Sequence, residues 1–257
     1  MEKERYIGID IVKILACFFV PGLHFFVNYG YQEKILNSPI VIIEISMRWI
    51  FFTCVGIFIM STGYLQCNKI PTKEYYKKIL IYVSTYFIYC VLTAILVGGE
   101  NLGRDIASYF FQYPAYFWYV SFFFGLYLIL PYFNRIVDGL SEKEMKKFLL
   151  VLICVTSIPE FINWLPAFSK TQWKYFYLPN WWREFYVITY YFAGVYFRKY
   201  RPQIGKKVTM CILILVPLMI SSFDYIVSKE NKTMFIGGGV RFNYNGRSCS
   251  GNLSISV

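Results

Sequence analysis

The stretch IGIDIVKILACFFVPGLHFFV, residues 7–27, decides how the chain is read. Twenty-one residues of α-helix rise about 30 Å, the depth of a bilayer's hydrocarbon core. Only Asp10, Lys13 and His24 interrupt its apolar character. Charges at Glu2 to Arg5 precede it, and Leu15-Ala16-Cys17 has the look of a lipoprotein cleavage site, so a secretory signal is the competing reading. Asp10 and Lys13 break the run that a signal requires. Six similar segments also follow, at Ile40–Leu65, Ile79–Val97, Ala115–Phe133, Phe148–Leu165, Trp181–Phe197 and Val208–Val227. A first transmembrane helix is therefore expected, and with it an all-α, polytopic membrane fold of about seven spans. The second segment is long enough to be tilted or broken, and the sixth has its uncharged part only from Phe185 onward.

Composition agrees. The 257 residues are 57% hydrophobic, 21% aromatic and 16% charged. Soluble domains carry roughly a quarter charged residues. The 25 Phe, 24 Tyr and 6 Trp exceed what one soluble core of this size hides. A soluble enzyme, a disordered chain and a disulfide scaffold are all disfavoured. The seven cysteines show no C-x-x-C spacing and five lie in apolar runs, so they read as small buried hydrophobes. A single histidine rules out a His-rich metal site, and no metal is expected.

The formal charge of +11 has a sidedness. Lys3, Arg5, Lys69, Lys73, Lys77, Lys78, Arg135, Lys143, Lys146, Lys147, Arg198, Lys199, Arg201, Lys206 and Lys207 fall on one set of alternate loops, fifteen in all. The other set holds five: Lys34, Arg104, Lys170, Lys174 and Arg183. Cytoplasmic loops collect Lys and Arg, so the N-terminus is expected in the cytoplasm of a multi-pass protein. Because the basic residues sit between apolar runs, the implied partner is membrane lipid and not nucleic acid. The last stretch, residues 228–257, has Gly237-Gly238-Gly239 and a cluster of Asn, Gly and Ser. It shows neither helical nor strand periodicity, so residues 1–227 read as the membrane domain and 228–257 as a polar tail.

Ionisable residues inside spans are expensive and are functional candidates by default. Lys13 and His24 are 11 residues apart, about three full turns, so they share one face about 16 Å apart in height. Pro21, one turn before His24, can kink the helix there. Glu44 and Arg48, spaced i,i+4, can pair in the outer half of span two, near the level of His24. Either that pair acts on a substrate or it only neutralises itself; Asp10 with Lys13 has the same two readings. His24 is either a packed core residue or a general base, histidine being the side-chain type that changes charge near pH 7. Glu160 and Asp224 are placed near span ends. Trp118, Tyr119 and the pair Trp181-Trp182 fit interfacial aromatic belts.

The opening Arg5 to Ala16, with Asp10 and Lys13, running on to Val20-Pro-Gly-Leu-His24, resembles the first helix of the integral-membrane acyltransferase 3 family. Ser61-Thr62-Gly63-Tyr64-Leu65 is similar to the family's ending of span two, and Glu74-Tyr-Tyr-Lys77-Lys78 to its basic entry to span three. Phe117-Trp118-Tyr119-Val with Gly125 to Pro131, and Tyr190-Tyr191-Phe192-Ala193-Gly194, resemble two later elements. The likeness covers about residues 5–227. Lys13 stands where the family has Arg, and Thr62 where it has Ser. The family has about ten spans against seven here, so the chain is expected to be C-terminally truncated, with a tail that is not family sequence.

The resemblance implies an acyltransferase of the class transferring groups other than amino-acyl groups, located in the plasma or inner membrane. It implies transfer of acetyl from acetyl-CoA, as co-substrate, to a hydroxyl of a surface polysaccharide or lipid-linked sugar. On that reading His24, Lys13 and Asp10 are catalytic candidates. Lys77 and Lys78, with Lys13 deeper in, form a basic mouth for CoA phosphates, and Glu44, Arg48, Trp118 and Tyr119 bind substrate. His24 acts as base or as transient acyl carrier, and Arg48 steadies the oxyanion. The rivals are a multi-span transporter, for which no inverted repeat is visible, and an inactive truncated membrane protein.

Overall fold

The computed structural model describes residues 6–28, 40–97, 99, 101–111, 118–168, 180–231, 233–236 and 240–243. Among them run nine α-helices: α1 (Ile7–Asn28), α2 (Ile40–Phe52), α3 (Cys54–Gln66), α4 (Lys73–Val97), α5 (Leu102–Phe111), α6 (Trp118–Asp138), α7 (Glu142–Phe168), α8 (Tyr186–Tyr200) and α9 (Lys206–Asn231). A 3-10 turn over Asn180–Phe185 leads into α8. Five stretches are long and apolar enough to cross a membrane: Ile7–Phe26, Ile40–Gln66, Lys73–Val97, Trp118–Asp138 and Lys206–Ile226. The protein is a polytopic helical one. Large apolar side chains stand outward on it, Phe18 at 70%, Leu96 at 84% and Met219 at 70% exposed. Water does not tolerate such a surface, but hydrocarbon does.

The other two expected spans correspond to α7 and α8. α7 opens on Glu142, Lys143, Glu144, Lys146 and Lys147 before its apolar part begins. α8 has 15 residues, about 22 Å of helix, and the 3-10 turn precedes it. The long second span is interrupted at one residue, Thr53. Its hydroxyl donates to the carbonyl of Ile50 at 2.6 Å and its N–H to the same oxygen at 3.2 Å. That tight local turn replaces one helical bond and separates α2 from α3.

Where the sequence shows no strand pattern, the chain after α9 forms a hairpin. Strands β1 (Thr233–Ile236) and β2 (Val240–Asn243) pair antiparallel, Thr233 opposite Asn243. Four residues per strand are too few for alternation to stand out in the sequence. The Gly237-Gly238-Gly239 triplet and residues 244–257 lie outside the described residues.

The described residues fall into two compact units. One comprises those of Met1–Leu65 and Glu142–Asn252, the other Gln66–Ser141. In the first unit α2 packs against α1 and α9, and α7 against α8. Helix α3 crosses α8 at van der Waals contact of the backbones. A Cβ on Gly63 would land on the carbonyl oxygen of Tyr191, and one on Gly194 on that of Met60. Small residues that let membrane helices approach this closely are a principal means of association where hydrophobic burial gives none. At one end of this unit Arg198 lies 4.3 Å from the ring centroid of Tyr6 and 5.2 Å from that of Tyr64. Hydrogen bonding to Tyr64 raises the pKa of that guanidinium further. The start of α1, the end of α3 and the end of α8 thus meet.

The second unit holds α4, α5 and α6. Tyr75 and Tyr127 stack at 4.4 Å, and each hydroxyl donates to the other residue's backbone carbonyl, at 2.6 and 3.1 Å. The Asn134 side-chain amide donates to the carbonyls of Gln66 and Lys69, both at 2.8 Å, and so clasps the turn that enters α4. Tyr86 ties α4 to α5 through the carbonyl of Tyr109 at 2.8 Å.

Candidate functional site

Helix α1 has two faces. Ile7, Ile11, Ile14, Leu15, Phe18 and Phe25 are exposed. Tyr6, Asp10, Lys13, Ala16, Val20 and His24 form a buried or half-buried stripe at i,i+3/i+4 spacing. All three ionisable groups of the first span therefore turn toward protein, and Lys13 and His24 share one face as their spacing demands. Lys13 stands about three turns closer to the Tyr6 end than His24.

Helix α2 passes that end of α1 in the opposite direction. The ring of Phe51 sits over Gly22, with centroids 5.5 Å from Phe19 and 5.9 Å from Phe26. Phe26 in turn packs into one apolar cluster with Val41, Ile45, Trp49 and Tyr225. Residue 24 is therefore level with the turn of α2 that carries Arg48. The sequence expects Glu44 and Arg48 near the level of His24, and the packing of Phe51 and Phe26 sets their turn of α2 at that height. Glu44 is half-buried; Arg48 is 9% exposed.

Arg48 does not stand alone there. Its guanidinium carbon lies 5.3 Å from the ring centroid of Trp49. The indole N–H of Trp49 donates at 2.7 Å to Oδ2 of Asp224 on α9, and Asp224 is 1% exposed. Buried Nη1 of Arg48 and Oδ1 of Asp224 both lack a hydrogen-bond partner. Sequence reading sets Asp224 near a span end and gives Trp49 no part. The signal for Asp224 was the carboxylate inside an apolar run; its partner on a helix 175 residues earlier is visible only in three dimensions. Chemically the site combines an imidazole, a buried guanidinium with an open N–H and a carboxylate with an open oxygen. Such a set can move a proton and steady a developing oxyanion in a water-poor space.

The remaining candidates belong to the second unit. Lys77 and Lys78 are exposed in the first turns of α4. Lys78 and Lys69 line a cleft of about 250 Å³ with Asn68, Thr72 and Glu74. Thr72 caps the helix, accepting from the Tyr75 N–H at 3.1 Å. Two lysines at a helix N-terminus suit an anionic group. Trp118 and Tyr119 open α6 and are half-buried, their rings edge-to-face at 5.9 Å. Tyr119 stacks on Phe123 at 6.3 Å, so this pair begins the aromatic ladder that runs on to Tyr127. The side chains of Glu160 and Trp181, and Phe117 itself, lie outside the described residues.

No disulfide joins the six described cysteines. Among the described residues no group of three or more His, Cys, Asp or Glu is placed to hold a metal ion. A family model described as an acyltransferase domain, that of the acyltransferase 3 family, matches residues 6–245. No curated protein and no solved structure matches the chain.

Proposed function

We propose an O-acetyl transfer function for this chain, which belongs to the acyltransferase 3 family. Family membership and the apolar helices make it a membrane acyltransferase. The finer reading is that it moves acetyl from acetyl-CoA to a hydroxyl of a cell-surface glycan or lipid-linked sugar at the plasma membrane. The observation that carries this reading is the position of the sole histidine. His24 lies on the protein-facing stripe of α1, level with the buried Arg48, and not on the lipid face.

In this reading His24 takes the acceptor hydroxyl's proton as its oxygen attacks the thioester carbonyl carbon. The carbonyl electron pair moves onto oxygen, where Arg48 meets it. Collapse breaks the carbon–sulfur bond, and the CoA thiolate leaves with the proton His24 held. One acetyl ester and one CoA thiol result from one thioester and one hydroxyl. The alternative, in which His24 carries the acetyl group transiently, uses the same residue as nucleophile. Lys77 and Lys78, exposed in the first turns of α4, supply positive charge for the CoA phosphates.

The test is transfer of labelled acetyl from acetyl-CoA by the purified full chain in detergent. His24→Ala and His24→Asn, expressed and folded as wild type, lose about 10²- to 10⁴-fold in rate. A wild-type rate in either variant rejects the assignment.

A further inference from the structure

The chemistry above leaves the buried carboxylate of Asp224 unused. Asp224 is 1% exposed, and its Oδ2 accepts from Trp49 Nε1 at 2.7 Å while Oδ1, equally buried, accepts from nothing. Native proteins rarely leave a buried carboxylate oxygen open, because its lost hydration is not replaced. The Trp49 bond fixes which way the carboxylate faces and leaves Oδ1 open. Beside it Arg48 keeps an open donor in Nη1. An open guanidinium N–H fits a carbonyl oxygen, and an open carboxylate oxygen fits a hydroxyl. With Glu44 and Asp224 against one Arg48, the cluster favours a neutral polyol over an anion.

Resting on the acyltransferase reading, we propose that Asp224 is an acceptor-recognition residue. Its Oδ1 accepts a hydrogen bond from a non-reacting hydroxyl of a neutral sugar, and Trp49 holds the carboxylate in place for it. The contact sets which neighbouring hydroxyl is turned toward His24. Asp224 is thus a determinant of acceptor specificity and takes no proton in the reaction.

The test uses the full chain in detergent, acetyl-CoA as donor, and as acceptor probe the surface-glycan fraction of the source cells, stripped of esters by mild base. Asp224→Asn keeps the side chain's shape and raises the glycan KM about tenfold or more, with the acetyl-CoA KM within about twofold of wild type. Trp49→Phe, which keeps the ring and removes the N–H, moves the glycan KM in the same direction. A second readout needs no turnover: the glycan raises the Tm of wild type and of His24→Ala, and this rise is lost in Asp224→Asn. If Asp224→Asn keeps the wild-type glycan KM and Tm rise, the assignment is overturned. It is equally overturned if kcat falls while the glycan KM does not move, or if the glycan shifts no Tm at all. A glycan Tm rise that depends on Asp224 in a protein with no transfer activity overturns the acyltransferase reading and leaves the binding site standing.

Discussion

At the scale of single residues, few groups can do acid–base work in hydrocarbon. His24 is half-buried on α1, while the lipid side of the same helix is all apolar. Arg48, at the same level on α2, is buried with an unfilled N–H. Arg48→Lys keeps the charge but loses the planar fork, so it is expected to fold and to lose at least about tenfold in kcat at saturating acetyl-CoA and glycan. A kcat equal to wild type would remove Arg48 from the oxyanion role. Much of this was legible in the sequence: 11 residues between Lys13 and His24 fix a common face, and i,i+4 spacing fixes Glu44 and Arg48 on another. Asp224 was not, because nothing local to α9 records that its carboxylate meets Trp49.

At the scale of elements, two glycines explain two motifs. Gly63 closes the Ser61-Thr62-Gly63-Tyr64 stretch and Gly194 closes Tyr190 to Gly194, and each meets a backbone carbonyl of the other helix. Gly63→Ala or Gly194→Ala is expected to destabilise by about 1–3 kcal/mol, since backbone cannot yield as a side chain can. Gly125→Ala, with open space around it, is expected to be neutral or to stabilise by about 0.5–1 kcal/mol through helix propensity. Thermal unfolding in detergent separates the two outcomes. The pairing of these motifs was hidden in sequence because about 130 residues separate them. The bounds of the second span were not hidden: apolar length alone marks Ile40–Leu65, and the helical stretch long and apolar enough to span is Ile40–Gln66. At the start of α7, Lys146 bonds Glu142 at 2.7 Å, and this bond holds the Glu142 carboxyl below its usual pKa. A lowered folded-state pKa means stabilisation that is present above the unfolded pKa and lost as pH falls through the folded one. The Tm of wild type should therefore fall more than that of Glu142→Gln on acidification below the ordinary glutamate range; equal falls would show that the pair contributes nothing.

At the scale of the whole molecule, the fifteen-to-five division of basic residues predicts sidedness. A cysteine placed at Lys77 is expected to react with an impermeant maleimide only from the cytoplasmic face, and one at Arg104 only from the other; the reverse pattern would invert the topology. Membrane class was legible because hydropathy is summed over many residues and survives local error. The division into two packed units was not, since it depends on contacts such as Tyr75 with Tyr127, 52 residues apart. The most direct test of the central claim follows from the topology and the site together. Sealed membrane vesicles carrying the full chain receive labelled acetyl-CoA at the cytoplasmic face alone. Label should appear as a base-labile ester on glycan at the opposite face with wild type and be absent with His24→Ala. Equal labelling by the two, or none by wild type, would contradict the account.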